Sequence, residues 1–396
     1  MSGEARPQPD WDPIGPGVER DPTEEHARLR RECPVPYADR FGGFWTLTRH
    51  EDVVAAARDT DTFLSSRKAT IPDSAAARPA RPPLEADPPE HTFYRQLLNP
   101  FFAPRRIRAI EPVMRQLAGE LIESLADDGE ADVVARFANP YPAGVLCAFL
   151  GLPREDWSDL KDWAGEVLSA ARVGDTAAQE EANRRIYDYV ARIVADRQAC
   201  PGDPGSDLVT GLLVAQAGGD GLTADGVTGV VRLMLQAGHG TTTNAVGSAF
   251  RRLAEHPGEQ ERLRADPASI PRYLEEVLRM WTPARLLART ASRDTVVGGR
   301  AIRAGDKVAL MWASANRDEA AFPEPEGFRT DRRPNRHVAF GSGIHFCLGA
   351  PLARAELRVA VEELLARTSR VEPAGPVVMA RWPHIGPESL PLRVVR

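Results

Sequence analysis

The chain has 396 residues, of which 42% are apolar and 27% charged, and its formal net charge is −6. This is ordinary globular composition, and the acidic balance gives no general reason to bind nucleic acid or an anionic membrane. The cysteines Cys33, Cys147, Cys200 and Cys347 lie far apart without a CxxC pair. We therefore expect reduced thiols in a soluble cytoplasmic protein, since the polar N-terminus also shows no signal peptide or membrane span.

The first half of the chain predicts mostly helices. Residues 1–20, rich in Pro and Gly, are expected to form a flexible N-terminal arm, and residues 21–396 a single domain. The predicted elements are a strand at 43–48, a helix at 51–58, a loop heavy in Pro, Ala and Arg at 65–89, a helical region at 90–129 with a break near 99–100, and further helices interrupted by Pro140, Pro142, Pro153 and the segment 200–205. A loop as long as 65–89 is usually either disordered or a functional lid.

The second half contains the clearest helices and most of the strands. Thr223 is a plausible N-cap of the longest helix, which is predicted to run to about Glu255. The remaining predicted elements are a helix from Ser269 to before Thr282, strands at 295–297 and 308–312 with a turn at 298–299, and a last helix from just after Cys347 to about Arg367. The sequence thus predicts one mainly α domain with a small β portion.

The most informative segment is the glycine-rich loop from Phe340 to Gly349. Cys347 lies where this loop meets a helix start, and the outward-pointing backbone N–H groups there favour a thiolate. A lone buried cysteine is the ordinary alternative. However, Phe-x-x-Gly-x-x-x-Cys-x-Gly at Phe340, Gly343, Cys347 and Gly349 resembles the haem-ligand loop of the cytochrome P450 family. The resemblance implies a single-domain cytochrome P450 fold and haem b (iron protoporphyrin IX) with Cys347 as the iron ligand.

A segment of the long central helix resembles the oxygen-binding groove of the same family. Ala237, Gly238 and Thr241 match its usual Ala-Gly-x-acid-Thr pattern, but the acid position is occupied by Gly240. The resemblance implies that Thr241 steadies dioxygen and a water that delivers protons. The missing carboxylate puts the usual proton relay in doubt, and His239 is about 100° round the helix from Gly240. Three explanations stay open: water replaces the missing carboxylate, a carboxylate elsewhere in the chain replaces it, or the reaction is an unusual one. The alternative to a functional role is that these small residues lie where two helices cross.

Two groups of charged residues also resemble family motifs. Glu276 and Arg279 share a helical face, by default as a weak exposed pair. Glu-x-x-Arg before Trp281-Thr282-Pro283 resembles the family's structural salt bridge, and we choose Arg332 over Arg329 as its third member. Haem propionates require cationic donors, and the positions that resemble the family's propionate contacts are His91, Arg95, Arg289 and His345.

The substrate pocket is expected from the resemblance alone. The residues assigned to it are Leu84, Leu233, Gln236, Ala237, Leu286, Leu287 and Ile385, each of which could equally be plain core. Most are apolar, which suits a small organic substrate held by shape. Basic residues of the 65–89 loop, Arg67, Lys68, Arg78 and Arg81, could meet an anionic substrate but are more simply explained as solvated.

The resemblance implies a monooxygenase that inserts one oxygen atom from O₂ into its substrate. Because no flavin or nicotinamide fingerprint is found, we expect electrons from a separate ferredoxin or flavodoxin with an NAD(P)H reductase, and Arg354 and Arg358 are candidate docking points. A peroxide-driven oxidation or oxidative coupling is a second hypothesis, motivated by Gly240. A non-catalytic haem carrier or sensor is a third, and it would require an occupied sixth ligand position or a signalling domain.

Overall fold

The computed structural model describes residues 7–67, 69–73, 79–219, 221–238 and 240–396. Most of these residues are helical. The helices are α1 (Thr23–Glu32), α2 (His50–Arg58), α3 (Glu90–Leu98), α4 (Pro104–Asp128), α5 (Pro140–Leu150), α6 (Trp157–Val173), α7 (Thr176–Ala199), α8 (Leu208–Ala217), α9 (Ala224–Ala237), α10 (Gly240–Glu255), α11 (Pro257–Ala265), α12 (Ile270–Met280), α13 (Trp312–Ala315) and α14 (Ala350–Arg367). In the described residues no helix combines the length and the apolar character needed to cross a bilayer.

The strands form small sheets. They are β1 (Tyr37–Ala38), β2 (Phe44–Leu47), β3 (Phe63–Leu64), β4 (Glu130–Asp132), β5 (Leu287–Ala291), β6 (Thr295–Val297), β7 (Arg300–Ile302), β8 (Lys307–Leu310), β9 (Arg370–Pro373), β10 (Val378–Met379), β11 (Pro387–Ser389) and β12 (Pro391–Val395). The largest sheet has the order β1-β2-β8-β5-β3, in which β2 and β8 are parallel with Trp45 opposite Val308. The prediction of a mainly α fold with a small β portion is confirmed.

The main hydrophobic core lies among the helices. It contains the inward faces of α4, α5, α9, α10, α12 and α14, and two smaller apolar clusters flank the five-stranded sheet. α12 shows the physical reason for this arrangement, because its apolar residues recur at helical spacing and bury Tyr273, Leu274, Val277 and Leu278 on one face. The packing of α14 against α10, α4 and α12 brings the end of the glycine-rich loop next to the central helices.

The structure corrects the prediction of one long helix from Thr223 to Glu255. Thr223 does cap a helix, since its hydroxyl accepts a hydrogen bond from the backbone N–H of Gly226 at 3.0 Å. However, α9 ends at Ala237 and α10 begins at Gly240, and among the described helices α4, with 25 residues, is the longest. The chain breaks where two glycines lie close together, because each weakens helical structure by about 1 kcal/mol relative to alanine.

The structure describes part of the predicted N-terminal arm (residues 1–20), and this part contacts the rest of the domain. The Trp11 side chain is 6% exposed and packs edge-on against Trp382, with ring centroids 6.1 Å apart. The backbone N–H of Asp10 donates to the carbonyl of Tyr37 at 2.8 Å. Burial of an indole ring contributes enough apolar area to hold this segment against the sheet, so from Asp10 onward the arm is part of the packed domain.

The 65–89 region contains neither helix nor strand in its described residues, as predicted. Its last part lies against α9 at Gly229, where an added Cβ would come within 2.2 Å of the Ala80 carbonyl oxygen. Gly229 is therefore a point of close backbone approach. Arg81 adds a salt bridge to Glu85 at 2.6 Å, so this end of the loop is held in place over the central helices.

Candidate haem site

An internal cavity of about 300 Å³ lies between the helical core and the five-stranded sheet. Its walls come from α3, α9, α10, α14, β5 and the loop that carries Cys347. The lining contains one thiol, four basic side chains, two threonines of α10, one carboxyl and a group of apolar side chains. This combination differs from a plain core void, which would be apolar throughout.

The glycine-rich loop places Cys347 at the wall of this cavity. The backbone N–H of Cys347 donates to the carbonyl of Phe340 at 2.8 Å, which closes the loop. Gly341 and Gly343 have φ values of +76° and +71°, and an added Cβ at Gly343 would come within 2.6 Å of a backbone carbonyl of α2. Only glycine fits these turns without strain, so the motif glycines are required by the shape of the loop.

The sulfur of Cys347 faces the cavity rather than bulk solvent. Its accessible surface lies inside the protein, where burial raises the pKa of the thiol, while the backbone N–H groups of Gly349 and Ala350 and the charges of Arg95 and Arg354 oppose that rise. These N–H groups belong to the start of α14, whose dipole favours negative charge. A metal cation at the sulfur would supply the positive charge that stabilises the thiolate.

The predicted propionate contacts meet at the same cavity. His91 is 3% exposed, and the His91 and His345 rings lie 4.3 Å apart. Within the described part of the chain, neither Nε2 atom has a hydrogen-bond partner. Arg289, 2% exposed on β5, donates to the carbonyl of its neighbour Ala288, and Arg95 on α3 donates to the carbonyl of Phe346.

Burial and the two arginines lower the pKa values of both histidines. Burial and the charge of Arg289 lower the pKa of His345 to about 2, and burial lowers the pKa of Arg289 to about 10. No ion pair of His91, Arg95, Arg289 or His345 occurs among the described residues. Buried polar atoms without partners, such as Nε2 of His91 and of His345, are costly unless a ligand satisfies them. The residues therefore fit haem, whose two carboxylates these basic side chains would hold and whose iron Cys347 would bind.

The break between α9 and α10 also borders the cavity. The Thr241 hydroxyl donates to the carbonyl of Ala237 at 3.3 Å and so satisfies an acceptor that the end of α9 leaves free. An added Cβ at Gly238 would come within 2.9 Å of the Leu146 side chain, whereas one at Gly240 would meet nothing within 4 Å. Ala237, Gly238 and Thr241 line the cavity, and His239 lies outside the described residues.

A buried ion cluster supports the loop before Cys347. Arg279 on α12 donates to both carboxylate oxygens of Glu276 at 2.8 and 2.9 Å, and both side chains are fully buried. Arg332 joins them with its Nε 3.2 Å from Glu276. Arg329 contributes only its backbone N–H, while its side chain pairs with Glu324 and Asp331 at the surface. Burial would raise the pKa of Glu276, but these donors hold it below its usual value.

The predicted substrate-pocket residues separate into two groups. Those that line the cavity are Leu84, Leu233, Ala237 and Leu287. The structure corrects the other three. Leu286 packs with Trp11 and Trp382, because side chains of adjacent extended residues point to opposite faces. Gln236 turns to Arg81, whose Nη1 lies 3.5 Å from its carboxamide oxygen, and half-buried Ile385 donates its backbone N–H to Pro283.

Several lining residues were missed by the sequence analysis. They are Phe102, Leu146, Phe149, Met234, Thr242 and Glu356. Phe102 and the two α5 residues carry no local signal, because distant chain packing alone brings them to the cavity. Glu356 did carry a sequence signal, because it lies four residues after Leu352 on the apolar face of α14, where a carboxyl is unexpected.

Comparison with known proteins identifies the family. Residues 175–374 match the family model described as Cytochrome P450. Cyclomarin C epoxidase CymV of Salinispora arenicola is 37% identical over 372 residues, which cover 91% of this chain and 93% of that protein. Erythromycin C-12 hydroxylase of Saccharopolyspora erythraea is also 37% identical, with 87% of this chain and 86% of that protein covered.

Solved structures agree with this result. CYP109E1 from Bacillus megaterium in complex with testosterone has a TM-score of 0.86 and 30% identity, covering 94% of this chain and 97% of that one. Cytochrome P450 CREJ in complex with (4-ethylphenyl) dihydrogen phosphate has a TM-score of 0.88 and 28% identity, covering 97% and 99%. From its sequence, fold and site, this chain belongs to the cytochrome P450 family and is a haem-containing monooxygenase.

Proposed function

We propose that this monooxygenase holds haem b and inserts one oxygen atom from O₂ into a small, neutral, mostly apolar organic substrate. The observation that carries this proposal is that the Cys347 thiol opens into the same cavity as a set of apolar side chains. These are Leu84, Phe149, Leu233, Met234 and Leu287. When bound, a thiolate-ligated haem supplies the electron density that favours cleavage of the O–O bond.

The chain's own residues bind and orient the reacting groups. His91, Arg95, Arg289 and His345 would hold the propionates, since all four are potential donors that line the same cavity. Phe340 and Gly349 line the cavity together with Cys347 and would limit the contact of its sulfur with water. Thr241, at the break between α9 and α10, would hold a water or dioxygen by its hydroxyl, with Ala237, Gly238 and Gly240 leaving room for it.

The proposed substrate class follows from where the charges lie. Apart from the propionate donors and Glu356, no ionisable side chain among the described residues borders the cavity besides Cys347. Of the loop residues considered for an anion, Arg81 pairs with Glu85, Arg67 is exposed, and Lys68 and Arg78 lie outside the described residues. Related proteins are named for organic substrates, including erythromycin and mycinamicin IV, which supports an organic substrate.

A spectral binding screen tests the substrate class. We expect uncharged steroids to displace water from the haem and to shift its absorption, and aryl phosphates to give weaker shifts. If aryl phosphates alone shift the spectrum, the substrate is anionic and the proposal of a neutral substrate is wrong.

We further propose that electrons come from a separate ferredoxin, or a flavodoxin, with an NAD(P)H reductase. This is supported by the sequence, in which no flavin or nicotinamide fingerprint occurs. The two arginines considered for docking are already paired: Arg354 with Glu275 at 2.7 Å, and Arg358 with Glu111 at 2.8 Å. We therefore assign them a structural role, and expect Arg358→Ala to leave the KM for ferredoxin unchanged.

The ligand assignment is tested by the reduced carbon monoxide spectrum. We expect a thiolate-type spectrum in the wild type, its loss in Cys347→Ser, and its retention in Cys200→Ser, because Cys200 is exposed at the end of α7. An unchanged spectrum in Cys347→Ser would end the proposal. Yields from ferredoxin with NAD(P)H and from added peroxide then separate the monooxygenase from the peroxide-driven hypothesis that Gly240 motivates.

A further inference from the structure

A cation lies against the loop that carries Cys347, outside the lining of the cavity. Arg354 is on α14, and its guanidinium carbon lies 4.5 Å from the centroid of the Phe340 ring, within the range of a cation–π contact. Phe340 itself lines the cavity together with Cys347. The hydrogen bond to Glu275 and, after it, the charges of Glu275 and Cys347 raise the pKa of Arg354. The guanidinium is therefore close enough to interact with the charge of the sulfur through space.

Glu275 on α12 fixes the position of this guanidinium. Its carboxylate accepts hydrogen bonds from Nε and Nη2 of Arg354, at 2.7 and 2.9 Å. It also lies 2.9 Å from Nε2 of His337, whose Nδ1 accepts the backbone N–H of Ala339, so the ring proton is on Nε2 and is donated to Glu275. A bidentate pair restricts an arginine more than a single bond does. Arg354 is thus held at the Phe340 ring although its side chain is 41% exposed.

The two charges of this pair do not lie at the same distance from the cysteine loop. The guanidinium of Arg354 contacts Phe340, the first residue of the loop, whereas Glu275 contacts Arg354 and His337. The pair is neutral as a whole, so removing either charge leaves the other uncompensated. Arg354→Gln would leave a carboxylate near the sulfur, and Glu275→Gln would leave a guanidinium there.

We propose that the Glu275–Arg354 pair sets the reduction potential of the iron that Cys347 would bind, with Glu275 as the residue that positions the cation. This rests on the proposed function. Reduction from ferric to ferrous iron takes up one electron from the redox partner and breaks no bond to the sulfur, so the site becomes more negative by one charge. A cation near the sulfur stabilises that added charge, and an anion there opposes it.

Potentiometric titration of the haem-loaded protein without substrate tests the proposal. Arg354→Gln should lower the midpoint potential and Glu275→Gln should raise it. We expect each to change the ratio of ferrous to ferric iron roughly threefold to tenfold at a fixed applied potential, where tenfold is about 59 mV for one electron. The double variant should return toward the wild-type value. Loosened packing alone would shift both single variants in the same direction, so shifts of equal sign, or no shift, would overturn the proposal.

Two further variants separate charge from shape. Arg354→Lys keeps the positive charge but loses the bidentate pair, and it should restore most of the potential that Arg354→Gln loses. Arg358→Gln is the matched control, because Arg358 lies one turn farther along α14 and pairs with Glu111 and Glu362. Its potential should equal that of the wild type. Equal potentials in Arg354→Lys and Arg354→Gln would contradict the proposal, and this comparison decides even where Glu275→Gln does not bind haem.

The reduced carbon monoxide spectrum separates failure of this proposal from failure of the proposed function. The wild type and every variant of the pair should give the thiolate-type spectrum, since Cys347 is unchanged. A thiolate-type spectrum with potentials that do not depend on the pair would overturn the role of Glu275 and Arg354 alone. A wild type that lacks this spectrum would overturn the proposed function, and this inference with it.

Discussion

The ion cluster at Glu276 permits a sharp test of how the loop before Cys347 is held. Arg332 makes four hydrogen bonds: its Nε donates to Glu276, Nη1 to the Pro323 carbonyl at 2.7 Å, and Nη2 to the carbonyls of Glu324 and Gly327. Its side chain is 5% exposed. Arg332→Ala therefore removes one partner of a buried carboxylate and one hydrogen bond from each of three carbonyls, of which Gly327 keeps a bond from Arg279.

The size of the effect follows from what remains. Breaking a buried ion pair typically costs about 3–5 kcal/mol, because one charge is left uncompensated. Here Arg279 continues to neutralise Glu276 through two hydrogen bonds of 2.8 and 2.9 Å. We therefore expect a loss of about 3 kcal/mol, which is a large part of the roughly 5–15 kcal/mol by which proteins are stable. Urea unfolding of the haem-loaded protein, followed by circular dichroism, measures it.

Arg329→Ala is the matched control, because Arg329 is three residues away and its exposed side chain pairs only with Glu324 and Asp331. Its backbone N–H, which donates to Glu276, is kept in the variant. Exposed pairs contribute about 0–1 kcal/mol, so the urea midpoint should change little. Equal destabilisation by the two substitutions would refute the assignment of Arg332 to the cluster.

Two further predictions concern the helix break and acid stability. Gly238→Ala places a methyl group within 2.9 Å of Leu146 and should destabilise the protein by about 1–3 kcal/mol, whereas Gly240→Ala meets nothing and should be neutral or stabilising in thermal unfolding. Burial would raise the pKa of Glu275, but hydrogen bonds led by that from Arg354 lower it to about 2. The stabilisation that ionised Glu275 contributes is thus present above pH 4.5 and is lost as the pH falls from 4.5 toward 2. Glu275→Gln should lower the free energy of unfolding by about 2 kcal/mol at pH 7, a value reduced to allow for the partial exposure of the side chain. In urea unfolding at a series of pH values, the variant should therefore lose less stability than the wild type between pH 4.5 and 2.

The features that sequence analysis located are those that a short segment determines by itself. The Cys347 loop needs glycines at the two positive-φ turns and a helix start directly after the cysteine, and all of these can be recognised in ten residues. The pair of Glu276 and Arg279 is likewise fixed by helical spacing. Arg332, from a region without regular structure, was found only through resemblance to the family.

The features that were mispredicted depend on competition between local rules and packing. Leu286 and Leu287 were both assigned to the pocket, although adjacent extended residues face opposite sides, and only Leu287 lines the cavity. The continuous helix to Glu255 was expected from periodicity, but Gly238 ends α9. Trp11 shows a similar limit of local patterns, since its ring packs against Trp382, 371 residues later in the sequence.

The distribution of charge around the cavity ties these features together. His91, His345 and Arg289 are buried next to one another, and the Nε2 atoms of both histidines lack a hydrogen-bond partner among the described residues, which by itself disfavours the folded chain. A ligand that binds only the folded state and supplies carboxylates at these donors offsets that cost and stabilises the fold by mass action. Glu356 is the opposite case: it pairs with no cation among the described residues, and burial raises the pKa of its carboxyl well above the usual value. The cavity thus favours a ligand that brings carboxylates to this group of basic side chains, as haem would.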